Sequence, residues 1–187
     1  IRQLEFAEDE FNYLFKELHL LSLKPIIYVA NVSEEDLSNI DNCAHYNTVK
    51  EYASKEGSEV IPVSCQIESE LSELSKEDRN EYLNELGVTE SGLTKVIKAT
   101  YKLLNLSTFF TVGPDECRAW TFVNGMSAPN CAGIIHTDFE RGFICAEVYS
   151  YVSIKEFGSE VAVKEAGKLR TEGKSYIPKD GDIMFFK

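Results

Sequence analysis

Two short polar segments carry the side chains of this sequence that are best suited to bind a ligand. The first, residues 31–34, combines an amide, a hydroxyl and a carboxylate directly after the apolar run 26–30. The second, residues 64–66, follows another apolar run. Polar groups at the carboxyl ends of neighbouring parallel strands form ligand sites in open α/β sheets. The same residue types also cap helices and turns, so Asn31 and Ser33 have a purely structural alternative.

The order of local patterns predicts that both polar segments lie at one edge of a parallel sheet. The apolar run 26–30 is typical of a strand that is covered on both faces. Residues 46–55 have the spacing of an amphipathic helix, and Gly57 is placed to end it. A second strand is predicted over residues 60–63. Strand, helix and strand in this order predict a βαβ unit, whose two polar loops, 31–34 and 64–66, share one edge.

The pattern changes from helical to strand-like near residue 106. Residues 117–123 are typical of a strand, and the following Asn124 and Gly125 favour a tight hairpin turn. Residues 155–168 have a weak helical pattern. Short strands with one helix predict a separate small α+β domain after residue 106.

Composition restricts the classes of partner. The net charge is −12, and most of the acidic excess falls in residues 1–106, so general binding to nucleic acid is disfavoured. The five cysteines are odd in number and form no C-x-x-C, which indicates free thiols in a reducing cytoplasm rather than disulfides or zinc. No apolar run reaches the length of a bilayer span, and we expect no membrane association. The first residue is Ile1 rather than Met, which favours a piece of a longer polypeptide, although a processed or shortened product would begin in the same way.

Two further groups of residues have a functional and a structural interpretation. His136 and Asp138 form an H-x-D pair, but no nucleophile stands at a suitable spacing, so we expect them to cap or support a short helix. A cluster of cations near the end of the chain is interpreted either as an ordinary solvated surface or as a patch that faces RNA or the ribosome. It consists of Lys164, Lys168, Arg170, Lys174 and Lys179.

Four strings of the sequence together resemble the YchF, or Obg-like, ATPase family. They are N-V-S-E at 31–34, G-P-D-E-C-R-A-W-T at 113–121, A-G-I-I-H-T-D-F-E-R-G-F at 132–143 and D-G-D-I at 180–183. The resemblance extends over essentially the whole chain from Lys24 onward, and the H-T-D-F-E-x-G-F string is its most specific part.

The resemblance implies a fold and an activity. Residues 1–22 would be the end of a helical, coiled-coil insertion, residues 23–106 the second part of a Ras-like P-loop domain with a parallel sheet, and residues 107–187 a TGS domain of the β-grasp fold. Members of the family hydrolyse ATP rather than GTP and associate with ribosomes. The resemblance thus implies a purine nucleotide with Mg²⁺, ribosomal RNA or protein partners, and a cytoplasmic location.

The resemblance also implies which residues contact the base of the nucleotide. Most P-loop GTPases have N-K-x-D after this strand, and its Asp accepts two hydrogen bonds from guanine. Here Val32 and Glu34 replace the Lys and the Asp, which alters two of the three guanine-specific positions, and the choice between ATP and GTP stays open. The implied base-contacting residues are Asn31, Val32, Glu34, Ser64, Cys65 and Gln66, the last three mainly through backbone N–H groups.

The sequence has no phosphate-binding motif G-x-x-x-x-G-K-[ST]. That motif supplies the backbone cradle for the phosphates, the lysine that contacts them and the hydroxyl for Mg²⁺. We therefore expect no catalytic residue and no hydrolysis in this chain alone, and no nucleotide or Mg²⁺ bound without the rest of the protein. The competing interpretation is a non-catalytic adaptor that binds RNA or protein, and a P-loop upstream of Ile1 would decide against it.

Overall fold

The computed structural model of the chain describes residues 5–113 and 115–187. The chain forms two compact units, Ile1–Thr100 and Tyr101–Lys187, called here the first and the second unit. The first contains a parallel strand pair with helices, and the second contains a five-stranded mixed sheet with helices. The predicted mixed α/β class is confirmed. The assignment of residues 1–22, 23–106 and 107–187 to particular domains stays a prediction.

The first unit follows the predicted strand–helix–strand order. Strands β1 and β2 are parallel, with Ile27 opposite Glu59 and Asn31 opposite Val63. Gly57 follows the helix between them, and its positive φ of 68° suits a glycine at the end of a helix. The regular elements are α1 (Glu8–Lys16), β1 (Ile27–Asn31), α2 (Glu34–Ser38), α3 (Ala44–Lys55), β2 (Glu59–Val63), α4 (Cys65–Glu73), α5 (Lys76–Glu85) and α6 (Gly92–Leu103), with 3₁₀ turns at Leu21–Leu23 and Ile40–Asn42.

The prediction that the first strand is covered on both faces is wrong. Val29, at the centre of β1, is 51% exposed, whereas Ile61 and Val63 of β2 are buried. In the part of the chain that the structure describes, β2 is the only strand that pairs with β1. Strand side chains point to the two faces of a sheet, so the exposure of Val29 shows that the described residues do not fully cover its face.

Helices α4 and α5 pack against each other through a small apolar cluster. Its buried members are Ile67 and Leu71 of α4 and Leu83 of α5, and Leu37 of α2 packs onto them. Ser75 followed three residues later by Asp78 is a sequence pattern that predicts a helix start, and α5 begins there, with Ser75 Oγ accepting the backbone N–H of Asp78 at 3.2 Å. These contacts place α2 and α5 beside α4.

The second unit is built on one mixed sheet. Its strand order is β4-β3-β7-β5-β6, with β3 and β7 parallel and the other neighbours antiparallel. The main core, around Phe109, Phe122 and Met184, lies between the sheet and α7. Its elements are β3 (Leu106–Val112), β4 (Cys117–Val123), α7 (Ala128–Ile135), α8 (Thr137–Gly142), β5 (Ala146–Ser150), α9 (Tyr151–Phe157), α10 (Glu160–Glu165), β6 (Arg170–Glu172) and β7 (Asp182–Phe186).

Two predictions for this unit are wrong. Asn124 and Gly125 do not join two strands of a hairpin, because β4 pairs with the preceding β3, and these two residues lead from β4 into α7. Local propensity sets the turn conformation, seen in the φ of 93° at Gly125, but not the strands that the turn connects. The unit also contains four helices among its described residues, whereas the sequence predicts one over 155–168 and a short one at His136. Helix α7, for which the sequence predicts a turn, consists of small and apolar residues that form a helix where they pack on the sheet.

No helix in the described ranges is long and apolar enough to cross a membrane. Within the same ranges, no group of three or more His, Cys, Asp and Glu side chains is arranged to bind a metal ion.

Candidate functional site

The two predicted polar segments meet at one edge of the parallel strand pair. Asn31 is the last residue of β1, and its Oδ1 accepts the backbone N–H of Cys65 at 3.1 Å. The backbone N–H of Val32 donates to the carbonyl oxygen of Val63 at 2.9 Å, which continues the strand pairing by one residue. One hydrogen bond therefore joins the segments 31–34 and 64–66 directly, and a second binds Val32 to the last residue of β2.

The second segment is not the loop that the sequence predicts. Ser64 is the N-cap residue of α4, and Cys65 and Gln66 are the first residues of that helix. The side chain of Ser64 makes no capping hydrogen bond, and Asn31 supplies the acceptor for Cys65 instead. The start of a helix presents backbone N–H groups without partners inside the helix. Within the described part of the chain, those of Gln66 and Ile67 have no backbone acceptor.

The capping interpretation is correct for Ser33 and takes an unexpected form for Asn31. Ser33 Oγ accepts the N–H of Asp36 at 3.1 Å and so caps α2. Asn31 caps α4, which starts 34 residues later in the sequence, rather than the next helix. This bond uses its Oδ1, so its amide nitrogen can still donate to a ligand. Glu34 is the exposed first residue of α2 rather than part of a loop.

A chain of polar side chains connects this edge to α5. The hydroxyl of Tyr82 donates to Oε2 of Glu70 at 2.7 Å, and Nε2 of Gln66 donates to Oε1 of the same carboxylate at 3.2 Å. The hydrogen bond to Glu70 is the main reason why the pKa of Tyr82 is raised to about 12, and the charge of Glu34 contributes. The bonds from Tyr82 and Gln66 lower the pKa of Glu70. Sequence reasoning missed Glu70 and Tyr82; the i,i+4 spacing of Gln66 and Glu70 was the available signal.

The predicted basic patch contains two kinds of cation. The side chains of its four lysines are exposed and have no ion pair among the residues that the structure describes. Arg170 is different, because its guanidinium pairs with Glu172 at 3.1 Å, donates to the hydroxyl of Tyr176 at 3.1 Å and lies over that ring. Arg170 is therefore held in a hydrogen-bonded network although its side chain is 44% exposed, and the cations of the patch without an ion pair in the described residues are Lys164, Lys168, Lys174 and Lys179.

The carboxylates near these lysines bind groups of the protein itself. Asp182 is 3% exposed and accepts the hydroxyl of Tyr176 at 2.6 Å and the backbone N–H of Lys179 at 2.8 Å. Asp180 Oδ1 accepts the backbone N–H of Thr108 at 2.8 Å. These bonds fix the loop 173–181 and leave its lysine side chains on the outside.

His136 has the structural role that the sequence predicts. It is the N-cap residue of α8, and its Nδ1 accepts the backbone N–H of Asp138 at 3.2 Å. The side chain of Asp138 lies 3.6 Å from the same nitrogen and is exposed.

The fold and the candidate site define an α/β protein with a strand–helix–strand unit that has a polar edge, followed by a mixed-sheet unit. Comparison with known proteins identifies its relatives. Residues 106–187 match the family model YchF-GTPase_C, described as "Protein of unknown function (DUF933)". The whole chain is 51% identical over 186 residues to the Bacillus subtilis protein "Ribosome-binding ATPase YchF", of which it covers 50%. Over 185 residues and 98% of the chain, it is 50% identical to human "Obg-like ATPase 1", of which it covers 46%.

A solved structure agrees with these matches. The Schizosaccharomyces pombe YchF GTPase superposes with a TM-score of 0.83 at 35% sequence identity, over 100% of this chain and 49% of that one. The chain spans about half the length of the curated relatives it matches. Over its whole length the chain corresponds to the C-terminal half of proteins named YchF and Obg-like ATPase, and its second unit matches the YchF C-terminal family model.

Proposed function

We propose that this chain supplies the base-binding part of a P-loop ATPase of the Obg-like type, and that its second unit is a TGS domain that contacts the ribosome. The relatives named above as ribosome-binding or Obg-like ATPases support the activity and the partner. The observation that carries the proposal is the hydrogen bond between Asn31 Oδ1 and the N–H of Cys65. It brings together the two segments that would contact a purine from two sides.

Each predicted site residue has a role that suits its position. The amide nitrogen of Asn31 donates to a ring nitrogen of the purine, and Val32 offers its side chain and carbonyl group, since its N–H is already bound to Val63. The segment 64–66 lies along the other edge of the base and offers it the N–H of Gln66, since the N–H of Cys65 is bound to Asn31. Glu34 carries a negative charge near Tyr82, on the side of α4 and α5.

The phosphates and Mg²⁺ would be bound outside this chain. Its residues fit the base but not the phosphates, because the sequence lacks the glycine-rich motif that cradles them. We infer that a P-loop elsewhere in the full-length protein binds the phosphates of ATP, or of GTP, together with Mg²⁺. Residues 1–187 alone then bind no nucleotide tightly and do not hydrolyse it.

The exposed lysines of the second unit are the proposed contact with ribosomal RNA. Phosphate groups attract clustered lysines even when the whole protein is acidic, provided that the local charge is positive. Residues 164–182 carry five cations and four carboxylates, so their net charge is only +1, and the lysine side chains are exposed on this segment. This assignment places the working protein in the cytoplasm, where ribosomes are.

Photolabelling tests the base site directly. The full-length protein is irradiated with an azido-adenine nucleotide, digested, and the labelled peptides are identified by mass spectrometry. We expect label in the peptides that contain residues 31–34 or 64–66, and unmodified ATP should prevent it. Label in neither peptide, with ATP-protected label elsewhere, would rule out the proposed site. A full-length protein that takes up no protected label would favour the adaptor interpretation.

A further inference from the structure

The polar chain of Tyr82, Glu70 and Gln66 starts outside the strand–helix–strand unit and ends at the candidate site. Tyr82 belongs to α5, whereas Glu70 and Gln66 lie one turn apart on α4. Glu70 accepts the Tyr82 hydroxyl on one oxygen and the Gln66 amide on the other, at 2.7 and 3.2 Å. Both oxygens of the carboxylate are therefore engaged, one by each neighbour.

The bond to Glu70 determines where the Gln66 side chain lies. In a capping box, the Glu or Gln at the third helical position folds back and accepts a backbone N–H group at the helix start. Gln66 is the second residue of α4, from which a glutamine side chain can turn back toward the same helix end. Here its Nε2 is bound to Glu70, which directs the amide along α4 toward the C-terminal end. The N–H groups of Gln66 and Ile67 have no backbone acceptor in the described residues because they lie in the first turn of α4, and the Gln66 side chain does not cover them. Ile67 is 3% exposed, so the N–H of the exposed Gln66 is the more accessible of the two.

Tyr82 gives this arrangement the support that the Gln66–Glu70 pair lacks. An exposed pair at i,i+4 on one helix stabilises its own geometry only weakly. Tyr82 comes from a second helix that is fixed to α4 by Leu83 in the apolar cluster and by Arg79, whose Nε donates to the carbonyl of Leu71 at 3.0 Å. The charged acceptor makes the hydrogen bond from Tyr82 stronger than a neutral one.

We propose that Glu70 and Tyr82 are positioning residues for the nucleotide base: they keep the Gln66 amide away from the start of α4, so that the N–H groups there remain available to the purine. Neither residue touches the base. The inference rests on the proposed function and adds two residues to it that lie outside the predicted site.

Single substitutions in the full-length protein give the first test. Binding of a fluorescent adenine nucleotide is measured for Tyr82→Phe and Glu70→Gln, with thermal unfolding as a check of folding. We expect each variant to weaken binding about fivefold, the effect of one hydrogen bond of about 1 kcal/mol. Tyr52→Phe is the matched control, because it removes a Tyr–Glu hydrogen bond, to Glu56 at 3.1 Å, on the surface of α3. That variant should bind like the wild type.

A double-mutant cycle separates positioning from a structural effect. Gln66→Ala removes the amide that Tyr82 is proposed to restrain. If Tyr82 acts only through that amide, adding Tyr82→Phe to the Gln66→Ala variant should not change its nucleotide affinity further, whether or not Gln66→Ala itself alters the affinity. A purely structural role of Tyr82 would weaken binding equally in both backgrounds. Equal weakening, or a Tyr82→Phe variant that binds like Tyr52→Phe, would overturn the inference.

The outcome is distinguishable from failure of the proposed function. If the wild type binds the nucleotide and Asn31→Ala weakens binding while the Tyr82 and Glu70 variants do not, the base site stands and the positioning role falls. If the wild type does not bind the nucleotide at all, the proposed function is overturned and this inference with it.

Discussion

Asn31 Oδ1 lies 3.1 Å from the backbone nitrogen of Cys65, so the end of the first strand caps the helix that follows the second strand. The two residues are 34 positions apart in the sequence. A capping bond between neighbours in sequence only fixes one helix end, whereas this bond also fixes the distance between the two segments of the candidate site. The site edge is therefore set by the protein's own hydrogen bonds before any ligand binds.

Removal of this bond should affect both stability and binding. Asn31→Ala takes away the acceptor of the Cys65 N–H and should lower the free energy of unfolding by about 1 kcal/mol, as loss of a helix cap does. In the full-length protein, nucleotide affinity should fall by about tenfold or more, because a direct donor to the base is lost as well. Denaturant unfolding and nucleotide titration measure the two effects.

Asn39→Ala is the control for that experiment. Asn39 is exposed, and its Oδ1 accepts a local bond from Asn42 Nδ2 at 2.7 Å. Nucleotide affinity should be unchanged in this variant. An Asn31→Ala protein with wild-type affinity would remove Asn31 from the base site.

The chain without its P-loop partner should be inactive. Purified residues 1–187 should release no phosphate from ATP above a buffer blank, because no residue of the chain is placed on the phosphates. The full-length protein, assayed in the same buffer with Mg²⁺, is the positive control. Phosphate release by residues 1–187 that depends on Mg²⁺ would contradict the proposal that the phosphates are bound and hydrolysed by a P-loop outside this chain.

Charge reversal should test the ribosome contact. The triple variant Lys168→Glu, Lys174→Glu, Lys179→Glu should lose co-sedimentation with ribosomes at low salt, since each lysine that binds a phosphate contributes to affinity. The salt dependence should also become shallower, by about one unit of slope for each lost phosphate contact.

A second triple variant, in the first unit, is the control, because it changes the net charge of the protein by the same amount. Lys50→Glu, Lys55→Glu, Lys76→Glu changes the net charge by the same amount on exposed residues of α3 and α5. If both triple variants lose binding equally, the effect is general electrostatics rather than the patch.

Asp182 should be important for the stability of the second unit. It is buried and accepts hydrogen bonds from the Tyr176 hydroxyl and from the backbone N–H of Lys179. Asp182→Ala leaves these donors without their acceptor and should lower the free energy of unfolding by about 2–3 kcal/mol. Glu165→Ala, at an exposed position of α10, should change it by less than about 0.5 kcal/mol. Denaturant unfolding of both variants measures the difference.

The same network predicts a loss of stability at alkaline pH. Burial and the hydrogen bond to Asp182 raise the pKa of Tyr176 to about 12 from an ordinary value of 10.0. The folded state therefore binds the phenol proton more tightly than the unfolded state. The resulting stabilisation is complete below about pH 10 and is lost as the pH rises toward about 12.

The substitution Tyr176→Phe should remove this part of the pH dependence. Unfolding by urea between about pH 8 and pH 11 should give a shallower decline than in the wild type. Tyr13→Phe, at a position that is 60% exposed, should keep the wild-type decline. Parallel declines in the wild type and Tyr176→Phe would contradict the role of Tyr176.

Local patterns predicted the first unit well where the signal was local. The apolar run before Asn31, the helix that ends near Gly57 and the second strand gave the parallel pair and its polar edge, because periodicity and turn residues act over a few positions. The caps at Ser75 and His136 were predictable for the same reason. The exposure of Val29 could not be predicted in this way, because the burial of a strand residue depends on which elements pack against the sheet.

Residue types and their spacing were enough to give the strand–helix–strand order, the polar residues that follow the strands and the family that the chain resembles. The folded chain was needed to show that Asn31 caps α4, that Glu70 links Tyr82 to Gln66, and that Arg170 is held by Tyr176 while its neighbouring lysines are unpaired in the described structure. The first two are contacts between residues on different elements, and the third depends on how a loop folds back. The direction of a long polar side chain depends on which hydrogen-bonding partner the packing of the elements brings close to it. The spacing of residues along the sequence does not identify that partner.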